Sequence, residues 1–236
     1  MISVCMATYN GAKYLREQVD SILLQLKEND ELIVSDDGST DATIEILKSY
    51  NDSRIKIFYN QRNHGVNGNF ENALIHAKGD YVFLSDQDDV WLKDKVNICL
   101  AYLKDYTCIV HDCIVVDNNL KELAPSFFSY HHSREGFWTN LYRNSYVGCC
   151  MAFKREILNK VLPYPADIPV YQEGWIASIA AWHDKVKFIN NRCILFRRHE
   201  LNQSTTGSKS QLSIFRQAYN RIKLLELILL RIYANK

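Results

Sequence analysis

The strongest constraint on the fold is an alternation in the first hundred residues. Four short apolar runs, at residues 2–7, 31–35, 55–59 and 81–84, are separated by segments of helical character. In the first of these segments Leu15, Val19, Ile22, Leu23 and Leu26 recur at helical spacing. Strand-length runs divided by amphipathic helices imply βαβ crossovers, and so a mostly parallel, doubly wound α/β sheet. Ligands of such open sheets bind beyond the carboxyl ends of the strands. Three polar clusters, "TYNG", "DDGS" and "SDQDD", each directly follow an apolar run. Though far apart in sequence, they are expected to meet at one edge.

The rest of the chain is less regular. Helices are expected at residues 67–78 and 91–106, and strands at 108–116 and 148–153, with a long aromatic loop over 118–138 between them. A helix is expected from Lys154, and another holding Trp175, Ile179 and Trp182 after Pro163, Pro165 and Pro169. Two short strands end in "FRRHELNQS", and a last helix runs from about Gln211.

Composition narrows the function classes. The 236 residues are 47% hydrophobic and 23% charged with a net charge of +1, which offers no bulk electrostatic case for nucleic acid. The balance is uneven, however: residues 1–91 carry 15 acidic against 8 basic side chains, and residues 192–236 carry 9 basic against 2 acidic. An acidic front and a basic tail suggest a cation site early and an anion or membrane-surface contact late. The seven cysteines include no Cys-x-x-Cys and several sit in apolar runs, as in a reduced, cytosolic protein. The spacing around His111 and Cys113 fits no structural zinc pattern. With no basic and apolar leader pattern at the start and no run of ~18 apolar residues, a cytoplasmic chain is expected, either soluble or peripheral on the membrane.

"LSDQDDVW" sets Asp86, Asp88 and Asp89 within four positions directly after a strand. Such crowding of like charges gains nothing for folding. Carboxylates so grouped suit a hard dication, Mn²⁺ or Mg²⁺, that also contacts substrate phosphates; otherwise they cap the helix that follows. In "DDGS", Asp37 and Ser39 read as a helix cap, leaving Asp36 to accept the imide N–H of a pyrimidine base.

Taken together, "ISVCMATYNG", "LIVSDDGSTDAT", "NHGVNGNFENALIHAKGDYVFLSDQDDVW" and "FRRHELN" resemble family 2 glycosyltransferases of the GT-A fold. The Ser-Asp-Gln-Asp-Asp-Val-Trp form is similar to bacterial rhamnosyl- and glucosyltransferases of surface polysaccharide synthesis. The resemblance is in register over residues 2–92 and patchy to about 204. It implies a GT-A-type doubly wound, mostly parallel sheet over residues 1–205, followed by a C-terminal helical extension at 206–236. Residues 1–106 would be the nucleotide-sugar half and 107–205 the acceptor half.

The resemblance also implies roles. Thr8 and Asp36 hold the base of a nucleotide sugar, with Tyr9, Asn10 and Asp37 alongside. Asp86 and Asp88 serve the metal and the ribose-diphosphate, with Asp89 a further metal ligand. His199 approaches the metal or diphosphate, and Arg197 or Arg198 neutralises the leaving group. Where family members often carry His-Asp-Trp-Trp, this chain has Gln172-Glu173-Gly174-Trp175, so Glu173 becomes the base that deprotonates the acceptor hydroxyl. Asp167 and Asp184 are weaker substitutes. Trp175 is expected to face the acceptor, while most of Trp138, Tyr142, Tyr146 and Trp182 are expected in the core.

The implied activity is inverting, metal-dependent transfer of a hexose from a UDP- or dTDP-sugar to a saccharide or polyprenyl-diphosphate-linked acceptor. A nucleotidyltransferase would also use paired acids, but "TYNGAKY" lacks the glycine- and base-rich phosphate loop it needs. A non-catalytic sugar-nucleotide-binding or scaffolding subunit stays open, because Glu173 departs from the usual Asp. The last helix carries Phe215, Ala218, Ile222, Leu225, Leu229 and Ile232 on one face with Arg216, Arg221, Lys223 and Arg231 around it. It would dock on the domain or a second subunit, or lie on an anionic membrane on the cytoplasmic side.

Overall fold

The computed structural model describes residues 1–61, 63–183, 185–200, 202 and 212–234. In chain order the elements are β1 (Ile2–Thr8), α1 (Leu15–Leu23), β2 (Glu31–Asp36), α2 (Thr43–Ser49), β3 (Ile55–Tyr59), α3 (Val66–Leu74) and β4 (Tyr81–Ser85). Next come β5 (Val90–Trp91), α4 (Lys95–Tyr102), β6 (Cys108–Val116), β7 (Glu122–Ala124), α5 (Phe127–His131) and α6 (Phe137–Tyr142). The chain closes with β8 (Met151–Lys154), α7 (Leu158–Val161), α8 (Gln172–His183), β9 (Val186–Arg197) and α9 (Ile214–Ala234).

All the described strands share one sheet, in the order β3-β2-β1-β4-β8-β6-β9-β5, with β7 paired to β6. The first four strands run parallel, as the alternation requires, and their register aligns Thr8 with Asp36 and Met6 with Ser85. Burial explains the unbroken apolar runs: Val4, Cys5 and Met6 of β1 and Phe83 and Leu84 of β4 are fully inaccessible. Beyond β4 the sheet becomes mixed. β8 is antiparallel to both β4 and β6, and β9 is parallel to β6 and antiparallel to β5.

The second half departs from expectation in its detail. Residues 91–106 do not form one helix: Val90 and Trp91 pair with Leu195 and Ile194 of β9, and the helix starts only at Lys95. Non-local pairing there outweighs local helical spacing. The expected loop over 118–138 holds β7, α5 and the start of α6, and residues 148–150 are a 3₁₀ turn before a shorter strand. A 3₁₀ turn at Arg155–Ile157 and the short α7 replace a longer helix from Lys154. The two expected last strands are one, β9, whose register against β6 shifts around Asp112 where Asn190, Asn191 and Arg192 come out to solvent. A bulge of this kind reads in sequence as a break between strands.

The helix α9 begins at Ile214; the expected start near Gln211 lies outside the described residues. It docks on the domain through Leu224, Ile228 and Ile232, all buried against the shared core. Arg231 fastens it by donating through Nη1 to the Leu162 carbonyl at 2.8 Å and through Nη2 to the Pro163 carbonyl. The opposite face, with Phe215, Ile222, Leu230 and Tyr233, stays exposed. Among the described residues no helix is long and apolar enough to cross a membrane. Ile228→Ala should lower stability by about 2–5 kcal/mol in chemical denaturation; a loss under 1 kcal/mol would mean that α9 packs loosely.

Candidate active site

The parallel strands deliver the three polar clusters to one edge, where they enclose a cleft of about 630 Å³. After β1, Thr8, Tyr9 and Asn10 form its floor and rim. After β2 the two aspartates part. Asp36 turns inward and is buried, accepting from Thr8 Oγ1 (3.0 Å), Ser39 Oγ (2.5 Å) and the backbone N–H groups of Gly38 and Ser39 (3.1 and 2.8 Å). Four donors use its acceptor capacity, and Gly38 makes the turn at a φ of +86°. The expectation that Asp36 reads a base is therefore corrected: it organises the turn. Asp37 is the one that lines the cleft, held by Asn60 Nδ2, His64 Nδ1 and the Gly65 N–H at 2.7–2.8 Å.

Sequence reasoning passed over Gln87. Its side chain and the backbone of Tyr9 exchange two hydrogen bonds (2.9 and 3.0 Å), lacing the loop after β1 to the acidic loop after β4. A Cβ at Gly11 would come within 2.2 Å of its Oε1, so the glycine leaves room for this link. The signal was present in "SDQDD", where a neutral residue sits between acids.

Asp86, Asp88 and Asp89 lie between β4 and β5 and cap no helix, since α4 starts six residues after Asp89. Asp86 and Asp88 line the cleft. His199 Nε2 (2.8 Å) and Asn202 Nδ2 (3.0 Å) meet Asp88 Oδ2, and the His199 ring lies 4.8 Å from that of Tyr14. Asp89 is buried: its Oδ1 accepts the Arg197 backbone N–H at 2.9 Å, while its Oδ2 has no partner. Burial, and next the charge of Asp88, raise Asp86 to a pKa of about 7 and push Asp89 well above the carboxylate range.

This donor set fits a hard dication. Asp86, Asp89 and Cys149 bring one ligand atom each within 4.8 Å of one another, and the orphaned Asp89 Oδ2 lacks the partner that a cation would be. Burial pushes the Cys149 thiol well up, so it stays protonated beside the two carboxylates rather than offering a soft thiolate.

Arg197 is not in the cleft wall. Its buried guanidinium donates to the carbonyls of Asp88 (2.7 Å) and Asn118 (2.9 Å), pairs with Glu17, and lies 4.5 Å over the Tyr14 ring. It braces the acidic loop, which corrects its expected contact with a leaving group; Arg198 lines the cleft instead. From the second half, Glu173 enters in the first turn of α8, buried and facing the same cavity. Burial, with the charge of Asp86 a lesser cause, lifts its pKa to about 8.

Trp175 does not face the cleft. It is fully buried and its Nε1 donates to the Val161 carbonyl at 3.0 Å, which corrects its expected acceptor contact. Of the other aromatics Tyr146 is core, but Trp138, Tyr142 and Trp182 are exposed. Asp167 lies away from the cleft, 3.6 Å from Lys223, and Asp184 lies outside the described residues.

Residues 3–162 match the family described as Glycosyl transferase family 2. The chain belongs to that family. It is a glycosyltransferase, and the nucleotidyltransferase reading falls away. An uncharacterized glycosyltransferase of Nostoc sp. is 26% identical over 220 residues, 89% of this chain and 68% of that protein. The Escherichia coli protein named UDP-Glc:alpha-D-GlcNAc-diphosphoundecaprenol beta-1,3-glucosyltransferase WfgD is 26% identical over 223 residues, 92% of this chain and 83% of that one. The fold matches S. aureus TarS residues 1–349, solved with UDP-GlcNAc, at a TM-score of 0.71 and 18% identity. That match covers 98% of this chain and 66% of the TarS fragment. The mannosyltransferase PcManGT of Pyrobaculum calidifontis, solved with GDP-Man and Mn²⁺, matches at a TM-score of 0.60 and 17% identity, over 99% of this chain and 74% of that one.

The raised pKa of Glu173 makes a testable statement about stability. Folded, the carboxyl loses its proton near pH 8; unfolded, near 4.5. Between those values the folded state binds more protons, so stability falls as pH rises, by roughly 1.4 kcal/mol per pH unit at most. Glu173→Gln should thus melt above wild type at pH 9 and close to it at pH 4. An equal difference at both pH values would show that the carboxyl is not desolvated as described.

Proposed function

We propose that the chain is an inverting, metal-dependent hexosyltransferase. It would move the sugar of a UDP- or dTDP-hexose to a lipid-linked saccharide during cell-surface polysaccharide synthesis. The observation that carries this reading is the convergence of Asp86 and Asp88 from one half and Glu173 from the other on a single cleft. The donor reading draws support from TarS, solved with UDP-GlcNAc, and the acceptor reading from WfgD, whose name specifies a diphosphoundecaprenol-linked acceptor.

In this mechanism Thr8, Tyr9, Asn10 and Asp37 border the nucleoside. Asp86, Asp88 and Asp89, with His199 behind Asp88, hold Mn²⁺ or Mg²⁺, and Arg198 adds positive charge beside the diphosphate. The bound dication would supply charge neutralisation for the departing nucleoside diphosphate. Glu173, as carboxylate, takes the proton of the acceptor hydroxyl as that oxygen attacks the anomeric carbon. The cleft aligns the two partners, which contributes much of the rate.

The exposed apolar face of α9, with Arg216 and Arg221 beside it, supports peripheral contact with an anionic membrane, on the cytoplasmic side in this reading. Flotation with phosphatidylglycerol vesicles checks this: Phe215→Ser/Ile222→Ser should release the protein, and undiminished binding would exclude the helix.

For the donor site, UDP or dTDP with Mn²⁺ should raise the melting temperature, and Asp88→Asn should abolish the rise. Glu173→Gln should keep the rise and lose transfer by about a hundredfold or more. Normal transfer by that variant would remove Glu173 from the mechanism, and no shift with any nucleotide would sink the donor reading.

A further inference from the structure

A second cavity, of about 650 Å³, opens between the first half of α9 and residues 167–171. One wall is a single face of the helix: Arg216, Tyr219, Asn220 and Lys223 stand at i, i+3, i+4 and i+7. Facing them are Asp167 and Tyr171. Tyr171 also lines the donor cleft, so the two cavities share a wall. Its carbonyl accepts the N–H groups of Gly174 (3.0 Å) and Trp175 (3.3 Å), which ties that wall to the turn bearing Glu173. On its other side Asn67 Nδ2 donates to the Val170 carbonyl at 3.0 Å.

The charges of this groove suit a polyanion. Two cations face one carboxylate, and the Lys223–Asp167 pair is 3.6 Å apart with the Asp167 side chain 80% exposed. An open pair of this sort holds Lys223 weakly and exchanges readily for a more highly charged partner. Arg216 rests 5.3 Å from the Tyr219 ring, and Tyr219 and Asn220 add hydrogen-bond donors. Immediately around the helix from this polar face, Phe215 and Ile222 are 89% and 69% exposed. Polar head-binding groups thus adjoin an apolar strip on one helix.

The geometry points to this groove as the binding site for the diphosphate of a lipid-linked acceptor. Its apolar chain lies along Phe215 and Ile222, and its saccharide extends past Tyr171 toward Glu173. The inference rests on the lipid-linked acceptor proposed above and assigns the residues that recognise its head. Arg216 and Lys223 are binding residues for the acceptor and take no part in holding the donor.

Farnesyl diphosphate is the probe, titrated calorimetrically into the full chain in EDTA, which withholds the cation through which the acidic loop would bind a diphosphate. Saturable binding is expected for farnesyl diphosphate and not for farnesol. Arg216→Glu/Lys223→Glu should weaken it at least tenfold, Arg216→Lys/Lys223→Arg should retain it, and both variants should keep the UDP and Mn²⁺ melting shift. If the charge reversal fails to fold, Arg216→Gln/Lys223→Gln takes its place with the same expectation. Unchanged affinity in the charge-altered variant, equal binding of farnesol, or no saturable binding by wild type would each overturn the assignment. A variant that loses phosphatidylglycerol vesicles yet keeps its affinity for farnesyl diphosphate would show the groove to be a headgroup contact, again overturning it. Loss of the nucleotide shift in wild type, with farnesyl diphosphate still bound, would sink the donor reading and leave the groove standing.

Discussion

Three carboxylates within four residues, partly or wholly withdrawn from water, repel one another and lose their hydration, and the rest of the site exists to hold them. Arg197 carries most of that load. Its backbone N–H caps Asp89, its guanidinium holds the carbonyl of Asp88, and its charge is balanced by Glu17 on α1. His199 and Asn202 hold Asp88 from the same segment, and the Cys149 sulfur lies within 4.8 Å of carboxylate oxygens of Asp86 and Asp89. The repulsion is contained rather than removed, as the upward shifts of Asp86 and Asp89 record. A site held in that condition is preorganised for positive charge.

The sheet explains how such distant groups meet. β9 lies between β6 and β5, so the segment after it is delivered against the acidic loop that precedes β5. β8 bridges the parallel half to β6, and the 3₁₀ turn before β8 sets Cys149 beneath the carboxylates. α8 then brings Glu173 to the far side of the same cavity. Burial there costs the carboxylate its charge at neutral pH, the condition of a base that is strong once ionised.

Much of this was legible beforehand. The parallel half was readable because each buried strand is a continuous apolar run and each crossover helix is amphipathic, so period alone separates them. The convergence of "TYNG", "DDGS" and "SDQDD" followed from parallel topology. Glu173 was singled out by the resemblance alone, as the residue standing where family members often carry the Asp of His-Asp-Trp-Trp. The less regular half resisted for a physical reason: Val90 and Trp91 are drawn into a strand by Leu195 and Ile194 of β9, far along the chain, and the bulge near Asp112 disguises one strand as two.

By itself the sequence determined the fold class, the edge at which a ligand sits and the residue types that meet there, because these depend on local periodicity and on strand direction. Only the tertiary structure decided what each side chain does. Asp36 and Asp37 are adjacent and chemically identical, yet one is consumed by three hydrogen bonds in its own turn and one from Thr8, and the other faces the cleft. Arg197 and Arg198 divide in the same way, one buried as a brace and one lining the cavity. Trp175, adjacent but one to Glu173, points into the core. Successive residues of a strand or turn point to opposite sides, and which side is the cleft is set by packing against residues a hundred positions away.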